Sequence, residues 1–521
     1  MQLLELIQRS GLSGTVGSAA EHIATDLEIL KITDDSRRAG PGVLYCATRN
    51  GRKYIEQAAA AGSVLLLSHS MIAPANASVL RTASPDRAMA HLAAALNAHP
   101  SKEMCIVAVT GTNGKTTTTH MLYHLWKKAE LPCALVGTLG LRYFDGEAEV
   151  SRETGFTTPR SYELQAILRD LLDRGIRHVT IEASSEALSL GRLEALSISG
   201  VLFTGLGRDH LDHHKTLASY MRAKRHLFFL AARAKAFFSV YAENEALHSL
   251  RRFAERPCIS YRMNTAVPAS TPASSAALGS ALNPAGLSFL STSDIDAEIT
   301  ARQPVPTGFN RINAALALFA FERTVGLLAA LPYTKPHAGI IDLGDFSGVP
   351  GRMQRLRVSD AIDAFVDYAH SPDSLERVLV EARSIGYNTI IVVFGCGGDR
   401  DPGKRPLMGE IAARLADLTI VTDDNPRTET AASIRAQILT GVTEKRGDTL
   451  RRTLEIGNRS EAIKAALAHA RQISDENAAR RIAVIVAGKG HETYQIIGRE
   501  KMHFSDVEEI EKEIERANRS A

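Results

Sequence analysis

The sequence has few of the features that mark several common protein classes. Its five cysteines are scattered over 521 residues and form no C-x-x-C pair. A disulfide framework or a structural zinc site is therefore not expected, and a reducing compartment suits the chain better. The five are Cys46, Cys105, Cys133, Cys258 and Cys396.

A marked excess of charge of either sign is also absent. The chain has 61 Lys plus Arg against 58 Asp plus Glu, so its formal net charge is only +3. Because bulk nucleic-acid binding needs a concentrated basic face, we expect no nucleic-acid partner. An acidic substrate would have to be held by local basic groups.

Long hydrophobic runs are missing as well. No stretch reaches the roughly 18 uninterrupted apolar residues of a membrane-spanning helix. The first residues, MQLLELIQRSG, place an acid before any base and lack the apolar core of a secretory signal. The sequence therefore predicts a cytoplasmic protein without membrane insertion.

A chain of 521 residues is too long for one hydrophobic core and predicts about three or four domains. Short strand-like runs alternate with helical patterns, which favours an α/β fold. Residues 264–286 are rich in Ala, Ser and Pro and predict a surface loop to which we assign no function.

A candidate phosphate loop follows the apolar run CIVAVT at 105–110 and precedes an amphipathic helical pattern. Its glycines would let backbone N–H groups approach phosphates, Lys115 would neutralise the outer phosphates, and the Thr116 hydroxyl would ligate Mg²⁺. Val109 stands where the usual pattern has its first glycine, so a plain turn is the alternative. The residues expected at ATP here are Gly111, Thr112, Asn113, Gly114, Lys115, Thr116 and Thr117.

Glu182 ends a second apolar run, HVTIE, and suits an Mg²⁺ ligand at the same edge of the sheet. The stretch RDHLDHH at 208–214 suggests zinc, yet it lacks cysteines and regular ligand spacing. Hydrogen bonding and electrostatics near phosphate are the favoured alternative there. Lys224 lies in a basic helical pattern, where a solvated lysine is the default interpretation.

Beyond residue 344, four strand-like runs are each followed at once by polar or Gly-rich sequence. Parallel strands of a doubly wound sheet place such loops on one edge, where ligands bind. We therefore predict a second part of the site there. The runs are AFVDY (364–368), TIIVVF (389–394), LTIVT (418–422) and IAVIVA (482–487).

Ten short motifs follow one another along the chain. They are GTNGKTTTT (111–119), TTP (157–159), EASS (182–185), FT-x-L-x-RDHLD-x-H (203–213), GFN-x-x-N (308–313), PGRMQ (350–354), DYAHSPDSLE (367–376), GCGGDRDPGKRPLMG (395–409), TDDNPRTE (422–429) and GKGHETYQ (488–495). Taken together and in this order, they resemble the motifs of the Mur ligases. The resemblance runs from the DSR at 35–37 to the HFSD at 503–506, nearly the whole chain.

This resemblance implies an architecture of three domains. Residues 1–100 would bind a uridine nucleotide, 101–343 would form a central P-loop ATPase, and 344–521 would form a Rossmann-like domain for the amino acid. It also implies ATP-dependent joining of meso-diaminopimelate to the D-glutamate carboxylate of UDP-N-acetylmuramoyl-L-alanyl-D-glutamate through an acyl phosphate. These small molecules would be the partners of a monomeric enzyme that uses Mg²⁺.

The resemblance assigns roles residue by residue. Catalysis would depend on Lys115, Glu182, His210, Lys224 and Arg352. Lys224 matches the carbamylated lysine of the family, which would join Thr116 and Glu182 at Mg²⁺. Asn310, Arg352 and Asp367 match positions that contact adenine, phosphate and ribose. The acceptor would be held by Ser36, Arg37, Thr157, Thr158, Ser184 and Arg192.

The amino acid would be selected by the DNPR sequence at 424–427. Its arginine can form a bidentate pair with the distal carboxylate of diaminopimelate, whereas it would repel the ammonium of a lysine substrate. An Asx-Pro turn with a solvated arginine is the alternative for the tetrapeptide alone. The predicted amino-acid residues are Arg400, Asp424, Asn425, Arg427, Gly488 and Glu492.

Several positions depart from the family pattern. Gly205 and Gly207 replace an Asn and a Ser, Glu186 replaces a His, and Leu190 replaces a Gln. We interpret these changes as lying on the acceptor side. A Mur-like ligase with a different acceptor and an inactive nucleotide-binding regulator therefore stay as alternatives, and a folate-polyglutamylating activity is disfavoured by the DNPR and GKGHE loops.

Overall fold

The computed structural model of the protein describes residues 1–12, 27–207, 209, 211–232, 236–241, 258–261, 309–328, 343–443, 452–477 and 479–520. The predicted loop at 264–286 and the candidate catalytic residue His210 lie outside these ranges. Within the described ranges, three large sheets with flanking helices follow one another along the sequence, which confirms the predicted α/β fold class.

The first sheet is parallel and has the strand order β1-β2-β3-β4. Its core combines Leu and Val side chains of the strands with the apolar face of α3. The elements are α1 (Leu3–Arg9), β1 (Lys31–Thr33), β2 (Val43–Cys46), α2 (Ile55–Ala60), β3 (Val64–Ser68), β4 (Val79–Thr82) and α3 (Pro85–Leu96).

The second sheet has the order β12-β11-β10-β5-β9-β6-β7-β8. Strands β5, β6, β9, β10, β11 and β12 run parallel, while β7 and β8 join as antiparallel strands. The elements are β5 (Cys105–Thr110), α4 (Lys115–Lys128), β6 (Cys133–Gly137), β7 (Gly140–Phe144), β8 (Glu149–Arg152), α5 (Ser161–Asp173), β9 (His178–Glu182), α6 (Ser185–Ser189), β10 (Gly200–Phe203), α7 (Leu211–His214), α8 (Leu217–Ala232), β11 (Phe237–Tyr241), β12 (Cys258–Tyr261) and α9 (Phe309–Leu328).

The third sheet has the order β13-β14-β18-β15-β16-β17, with only β13 antiparallel to its neighbour in this sheet as the structure describes it. A separate hairpin pairs β19 with β20. The elements are β13 (Gln354–Arg357), β14 (Ile362–Asp367), α10 (Pro372–Ser384), β15 (Thr389–Phe394), α11 (Lys404–Leu415), β16 (Leu418–Val421), α12 (Ala431–Thr443), β17 (Arg452–Glu455), α13 (Arg459–Glu476), β18 (Ile482–Ala487), β19 (Tyr494–Ile497), β20 (Glu500–His503) and α14 (Asp506–Ser520).

The four apolar runs predicted as strands beyond residue 344 are β14, β15, β16 and β18, which are parallel neighbours. Each is buried along its whole length because helices cover both faces of the sheet. Since parallel strands end on one edge, the four polar loops that follow them share that edge, as predicted.

Candidate functional site

The phosphate loop connects β5 to α4, and its glycines are required by close contacts. Gly111 and Gly114 have φ of 152° and 84°. A Cβ on Gly111 would lie 1.9 Å from Thr204 Oγ1, and one on Gly114 would lie 2.4 Å from Asn313 Oδ1. A side chain at Gly111 would clash with Thr204, one at Gly114 would displace the Asn313 side chain, and both φ angles favour glycine.

Lys115 folds back over the loop in this structure. Its Nζ donates to the carbonyl oxygens of Gly111 at 3.0 Å and Thr112 at 2.9 Å. Burial lowers the pKa of the Lys115 ammonium, while Glu182 and Asp209 act in the opposite direction. The lysine is thus held at the mouth of the loop, within reach of an incoming phosphate.

Glu182 is the centre of a hydrogen-bond network at the ends of β6 and β9. The carboxylate is fully buried. Its Oε2 accepts from Thr116 Oγ1 at 2.9 Å and Thr138 Oγ1 at 3.0 Å, and its Oε1 accepts from Thr138 N at 2.9 Å. Thr138 Oγ1 also lies 3.1 Å from Thr157 Oγ1. This network joins a predicted metal ligand to a predicted acceptor residue.

Lys224 is not the solvated lysine that its helix pattern suggests by default. It is 1% exposed, and its Nζ donates to Gly111 O at 2.6 Å. Burial, with a further contribution from Lys115, moves the pKa of Lys224 well below its usual value. The ring of Tyr220 lies 4.4 Å from the same ammonium. The side chain therefore points at the phosphate loop.

Arg352 and Asp367 reach the same place from the third sheet. Arg352 Nη2 donates to Thr116 Oγ1 at 3.3 Å, and its guanidinium lies 4.6 Å from the centre of the Tyr368 ring. Asp367 Oδ2 accepts from Met353 N at 2.7 Å. These contacts connect the PGRMQ and DYAHSPD motifs, so both belong to one site.

The predicted acceptor residues adjoin this network. Thr158 Oγ1 donates to Glu182 O at 2.6 Å, and Ser184 N donates to Thr158 Oγ1 at 3.1 Å. Arg192 Nη1 donates to Thr158 O at 2.6 Å, and its guanidinium lies 5.1 Å from the centre of the Phe156 ring. A carboxylate bound here would lie beside the phosphate loop.

One cavity of about 460 Å³ brings these groups together. The predicted residues that line it are Thr112, Asn113, Gly114, Lys115, Thr116, Thr117, Thr157, Thr158, Glu182, Ser184, Arg192, Lys224, Asn310, Arg352 and Asp367. Thr138, Asn313, Tyr368 and His370 line it as well. The sequence analysis assigns no role to Thr138, and it includes the other three only within the motifs GFN-x-x-N and DYAHSPDSLE. Thr138 directly follows the apolar strand β6, so the strand-end rule applied to Glu182 could have found it.

Ser36 and Arg37 lie apart from this cavity, in a second one of about 780 Å³ beside the first sheet. Arg37 Nη2 pairs with Asp35 Oδ2 at 2.7 Å, and hydrogen bonding from Arg37 lowers the pKa of Asp35 to about 2. Arg160 Nη1 pairs with Asp34 Oδ1 at 2.6 Å in the same cavity. The basic side chains that line it are those of Arg37, Arg49, Arg52, Lys53 and Arg160.

The interpretation of Gly205 and Gly207 as acceptor-side departures is wrong. Thr112 N donates to Gly205 O at 2.9 Å, and Gly207 N donates to Thr112 Oγ1 at 2.8 Å. Both glycines therefore support the phosphate loop. A Cβ on Gly207 would lie 2.2 Å from Asp373 Oδ2, so a side chain there would displace that carboxylate. Glu186 does lie near the acceptor residues, with Oε1 4.0 Å from Arg192 Nη2.

The predicted amino-acid residues occupy the carboxyl edge of the third sheet. Arg427 has φ of 52°, its N donates to Ile496 O at 3.1 Å, and its Nη1 donates to Gly398 O at 2.7 Å. Arg400 is exposed on the neighbouring loop. The DNPR segment is thus bonded to β19 and the GCGGDRD loop, rather than forming an isolated turn.

Two buried or partly buried carboxylates, Asp424 and Glu492, belong to the same edge as Arg427. Burial alone would raise the pKa of Asp424, but Lys489 and Arg459 outweigh it and lower that pKa. Burial and the proximity of Asp424 raise the pKa of Glu492. Gly488 has φ of 118°, and a Cβ there would lie 2.7 Å from Asp424 Oδ2. The edge therefore offers anionic groups beside cationic ones, as a zwitterionic amino acid requires.

A link joins the two edges. Tyr368 lines the central cavity, and its ring centre lies 5.4 Å from that of His491, next to Glu492.

In the described part of the chain, no helix has the length and apolarity needed to cross a membrane.

Comparison with known proteins identifies the family of this chain. The profile of the Mur ligase middle domain matches residues 109–321, and that of the Mur ligase glutamate ligase domain matches residues 351–490. A UDP-N-acetylmuramoyl-L-alanyl-D-glutamate–2,6-diaminopimelate ligase of Synechococcus elongatus is 37% identical over 512 residues, covering 94% of each chain. The ligase of the same name from Geobacter sulfurreducens is 36% identical, covering 92% of this chain and 94% of its own.

Solved structures agree in fold. A structure of a UDP-N-acetylmuramoyl-L-alanyl-D-glutamate–2,6-diaminopimelate ligase matches with a TM-score of 0.57 at 28% identity, covering 99% of this chain and all of that one. A MurF ligase of Thermotoga maritima in complex with ADP matches with a TM-score of 0.53 at 15% identity, covering 94% of this chain and 98% of that one. The two profile matches, which cover both larger sheets, and relatives 36–37% identical over nearly the whole chain show that this chain belongs to the Mur ligase family.

Proposed function

We propose that this chain, an ATP-dependent ligase of the Mur family, joins meso-diaminopimelate to the D-glutamate carboxylate of UDP-N-acetylmuramoyl-L-alanyl-D-glutamate. The observation that carries the proposal is the shared cavity, in which Thr157, Thr158 and Arg192 line the same space as Lys115 and Glu182. A carboxylate held by the first group would face the γ-phosphate of ATP held by the second. That arrangement suits carboxylate activation by phosphoryl transfer.

The proposed reaction has two chemical steps. In the first, the acceptor carboxylate oxygen attacks the γ-phosphorus and ADP leaves, giving an acyl phosphate. Lys115 and Arg352 offset the negative charge that two anions bring together. In the second, the amine of the amino acid attacks the acyl carbon, phosphate leaves and the nitrogen loses a proton. No nucleophilic side chain is required.

The donor set fits Mg²⁺. Glu182 and the Thr116 hydroxyl are oxygen ligands, the type that Mg²⁺ prefers, and a carbamylated Lys224 would add another. Mg²⁺ usually keeps several waters and takes the remaining oxygens from one or two protein ligands and the substrate phosphates. Bound Mg²⁺ would supply positive charge to the transferring phosphoryl group.

Carbamylation of Lys224 belongs to this proposal. An uncharged amine can attack CO₂, forming a C–N bond and releasing a proton, and burial of Lys224 favours the uncharged form. Carbon-13 NMR of protein equilibrated with labelled bicarbonate would show a carbamate signal that Lys224→Arg lacks. An unchanged spectrum between the two proteins would contradict the modification.

The structural support extends to the remaining assignments. Each proposed domain, 1–100, 101–343 and 344–521, contains one of the three sheets. The cavity that Ser36 and Arg37 line offers cations for the diphosphate of the uridine nucleotide. We propose a monomeric cytoplasmic enzyme in peptidoglycan precursor synthesis.

The decisive experiment measures phosphate release from ATP with UDP-muramoyl-dipeptide and diaminopimelate, omitting each in turn. We expect release only when both are present, and product formation confirmed by mass. L-lysine in place of diaminopimelate should react poorly because Arg427 would face an ammonium. No turnover with the dipeptide would favour the alternative of a Mur-like ligase with another acceptor, and no release with any acceptor would favour the inactive regulator.

A further inference from the structure

Lys489 is a buried ammonium to which neither the proposed mechanism nor the predicted amino-acid residues give a role. Its side chain is 0% exposed and lies just after β18, between Gly488 and Glu492 of the GKGHE loop. Nζ donates to Asn425 Oδ1 at 3.0 Å and to Tyr494 O at 2.8 Å. Lys489 therefore connects the DNPR loop, the GKGHE loop and β19.

These bonds determine how the Asn425 amide is oriented. Its Oδ1 accepts from Lys489 Nζ and also from Ile496 N at 2.9 Å, which occupies both lone pairs. The amide nitrogen must then face the other way, where Nδ2 donates to Glu492 Oε2 at 3.0 Å. Glu492 also forms a side-chain hydrogen bond with Tyr494, so the GKGHE loop and β19 are joined on this side too.

Arg459, the other buried cation near Asp424, is already paired with a carboxylate. Arg459 forms a bidentate pair with Asp506, with Nε to Oδ1 at 2.7 Å and Nη2 to Oδ2 at 2.8 Å. Asp424 Oδ2 is buried and has no hydrogen-bond partner among the described residues. Lys489 is thus the cation that donates to the DNPR loop through Asn425, while Arg459 is paired with Asp506.

We propose that Lys489 is the positioning residue of the amino-acid site: it fixes the Asn425 amide, and through it Glu492, in the orientation that recognises the incoming amino acid. It acts through Asn425 and touches no reacting atom. The inference rests on the proposed function, because it assigns this edge to the amino acid. Loss of Lys489 should therefore weaken amino-acid binding and leave the phosphate-loop chemistry intact.

The test is steady-state kinetics of Lys489→Met, with each co-substrate varied in turn. The KM for diaminopimelate should rise about tenfold to a hundredfold, as for loss of a hydrogen bond to a charged group. The KM for ATP and for the dipeptide should stay within about twofold. Arg355→Leu is the control. It removes a different cation of the third sheet, which pairs with Asp363 and not with the DNPR loop, and it should leave all three KM values unchanged.

A double-mutant cycle separates positioning from general stability. If Lys489 acts through Asn425, Lys489→Met should add less than about twofold to the KM of Asn425→Ala. Lys489→Gln keeps one donor for Asn425 and should recover part of the affinity. It also replaces the methionine variant if that protein does not fold. Additive effects, equal rises in all three KM values, or an unchanged diaminopimelate KM would each overturn the inference.

The wild-type assay distinguishes this inference from the proposed function. If the wild-type protein does not use diaminopimelate, the proposed function fails and the inference fails with it. If the wild-type protein turns over and Lys489→Met has the same diaminopimelate KM, only the inference fails.

Discussion

The phosphate-loop edge of the second sheet and the DNPR edge of the third are built on the same rule and held in different ways. Both place polar loops at the carboxyl ends of parallel strands. At the first edge, functional side chains bond directly to one another, as Thr116 and Thr138 do with Glu182. At the second, Arg427 is bonded to backbone groups of Ile496, Gly498 and Gly398. Asn425 is bonded to the backbone of Ile496 and to the side chains of Lys489 and Glu492.

This difference predicts different responses to mutation. Where functional groups bond to each other, removing one disturbs the rest, and the chemical step is lost. Where a loop is held by backbone bonds, a side chain that points to the ligand can be removed while the loop keeps its shape. Removing a functional side chain at the first edge should therefore lower kcat, whereas removing one at the second edge should raise the KM of one co-substrate.

The largest effect should follow Lys115→Ala. This change removes the cation that bonds to the phosphate loop and would meet the outer phosphates. We expect kcat to fall by about 10³-fold, comparable to losing a transition-state donor. Phosphate release measured with both co-substrates at saturation tests it, with the exposed Lys102→Ala as control. Retention of more than a tenth of the wild-type kcat would contradict the role of Lys115.

Arg427→Ala should give the next largest effect, and on a different constant. Loss of the guanidinium should weaken diaminopimelate by about 2–5 kcal/mol, as for breaking a buried charge pair. The KM for ATP should be unchanged, because Arg427 does not line the phosphate cavity. Varying each co-substrate separately gives the answer. An unaltered diaminopimelate KM would show that the carboxylate clamp is wrongly assigned and that the two edges are not separable.

Much of this comparison could be predicted from the sequence. The apolar runs at 389–394 and 482–487 are β15 and β18, and the polar residues after them do share one edge. These signals are local, since a buried parallel strand needs a continuous apolar run and its loop must hold the ligand groups. Periodicity and strand-end position were therefore enough to find Glu182 and the four loops.

Contacts between distant residues could not be predicted in this way. Thr138 meets Glu182 because β6 pairs with β9, and nothing in either segment specifies that pairing. Lys489 reads as one more loop cation until the fold places β19 beside the DNPR loop. The positions of Gly205 and Gly207 were misjudged for the same reason, since their neighbour Thr112 lies about ninety residues away in the sequence.

Gly207→Ser should have a moderate effect and sharpens the comparison within the first edge. An added side chain would meet Asp373 Oδ2, which is the movable end of a flexible carboxylate, so α10 need not shift. We expect a rise of about threefold to tenfold in the KM for ATP, since Gly207 N also holds Thr112 Oγ1. A rise confined to the dipeptide KM would restore the acceptor-side interpretation of this position.

The smallest effect concerns the stability of the second sheet. His178 begins β9, at the opposite end of that strand from Glu182, and burial lowers the pKa of His178 to about 4. In the unfolded chain this histidine has a pKa near 6.5, so as pH falls through that value the unfolded chain takes up a proton that the folded chain does not. Its contribution to stability is therefore complete above about pH 7 and is lost progressively down to about pH 4. At pH 5.5 the loss should be about 1 kcal/mol. Urea unfolding of the wild-type protein at pH 7.5 and 5.5 should show this loss of unfolding free energy. The loss should be smaller in His178→Phe, whose ring can pack against Trp126 as His178 does. It should remain in the control His69→Phe, where the histidine is exposed. An equal pH dependence in all three proteins would mean that the acid sensitivity arises elsewhere in the fold.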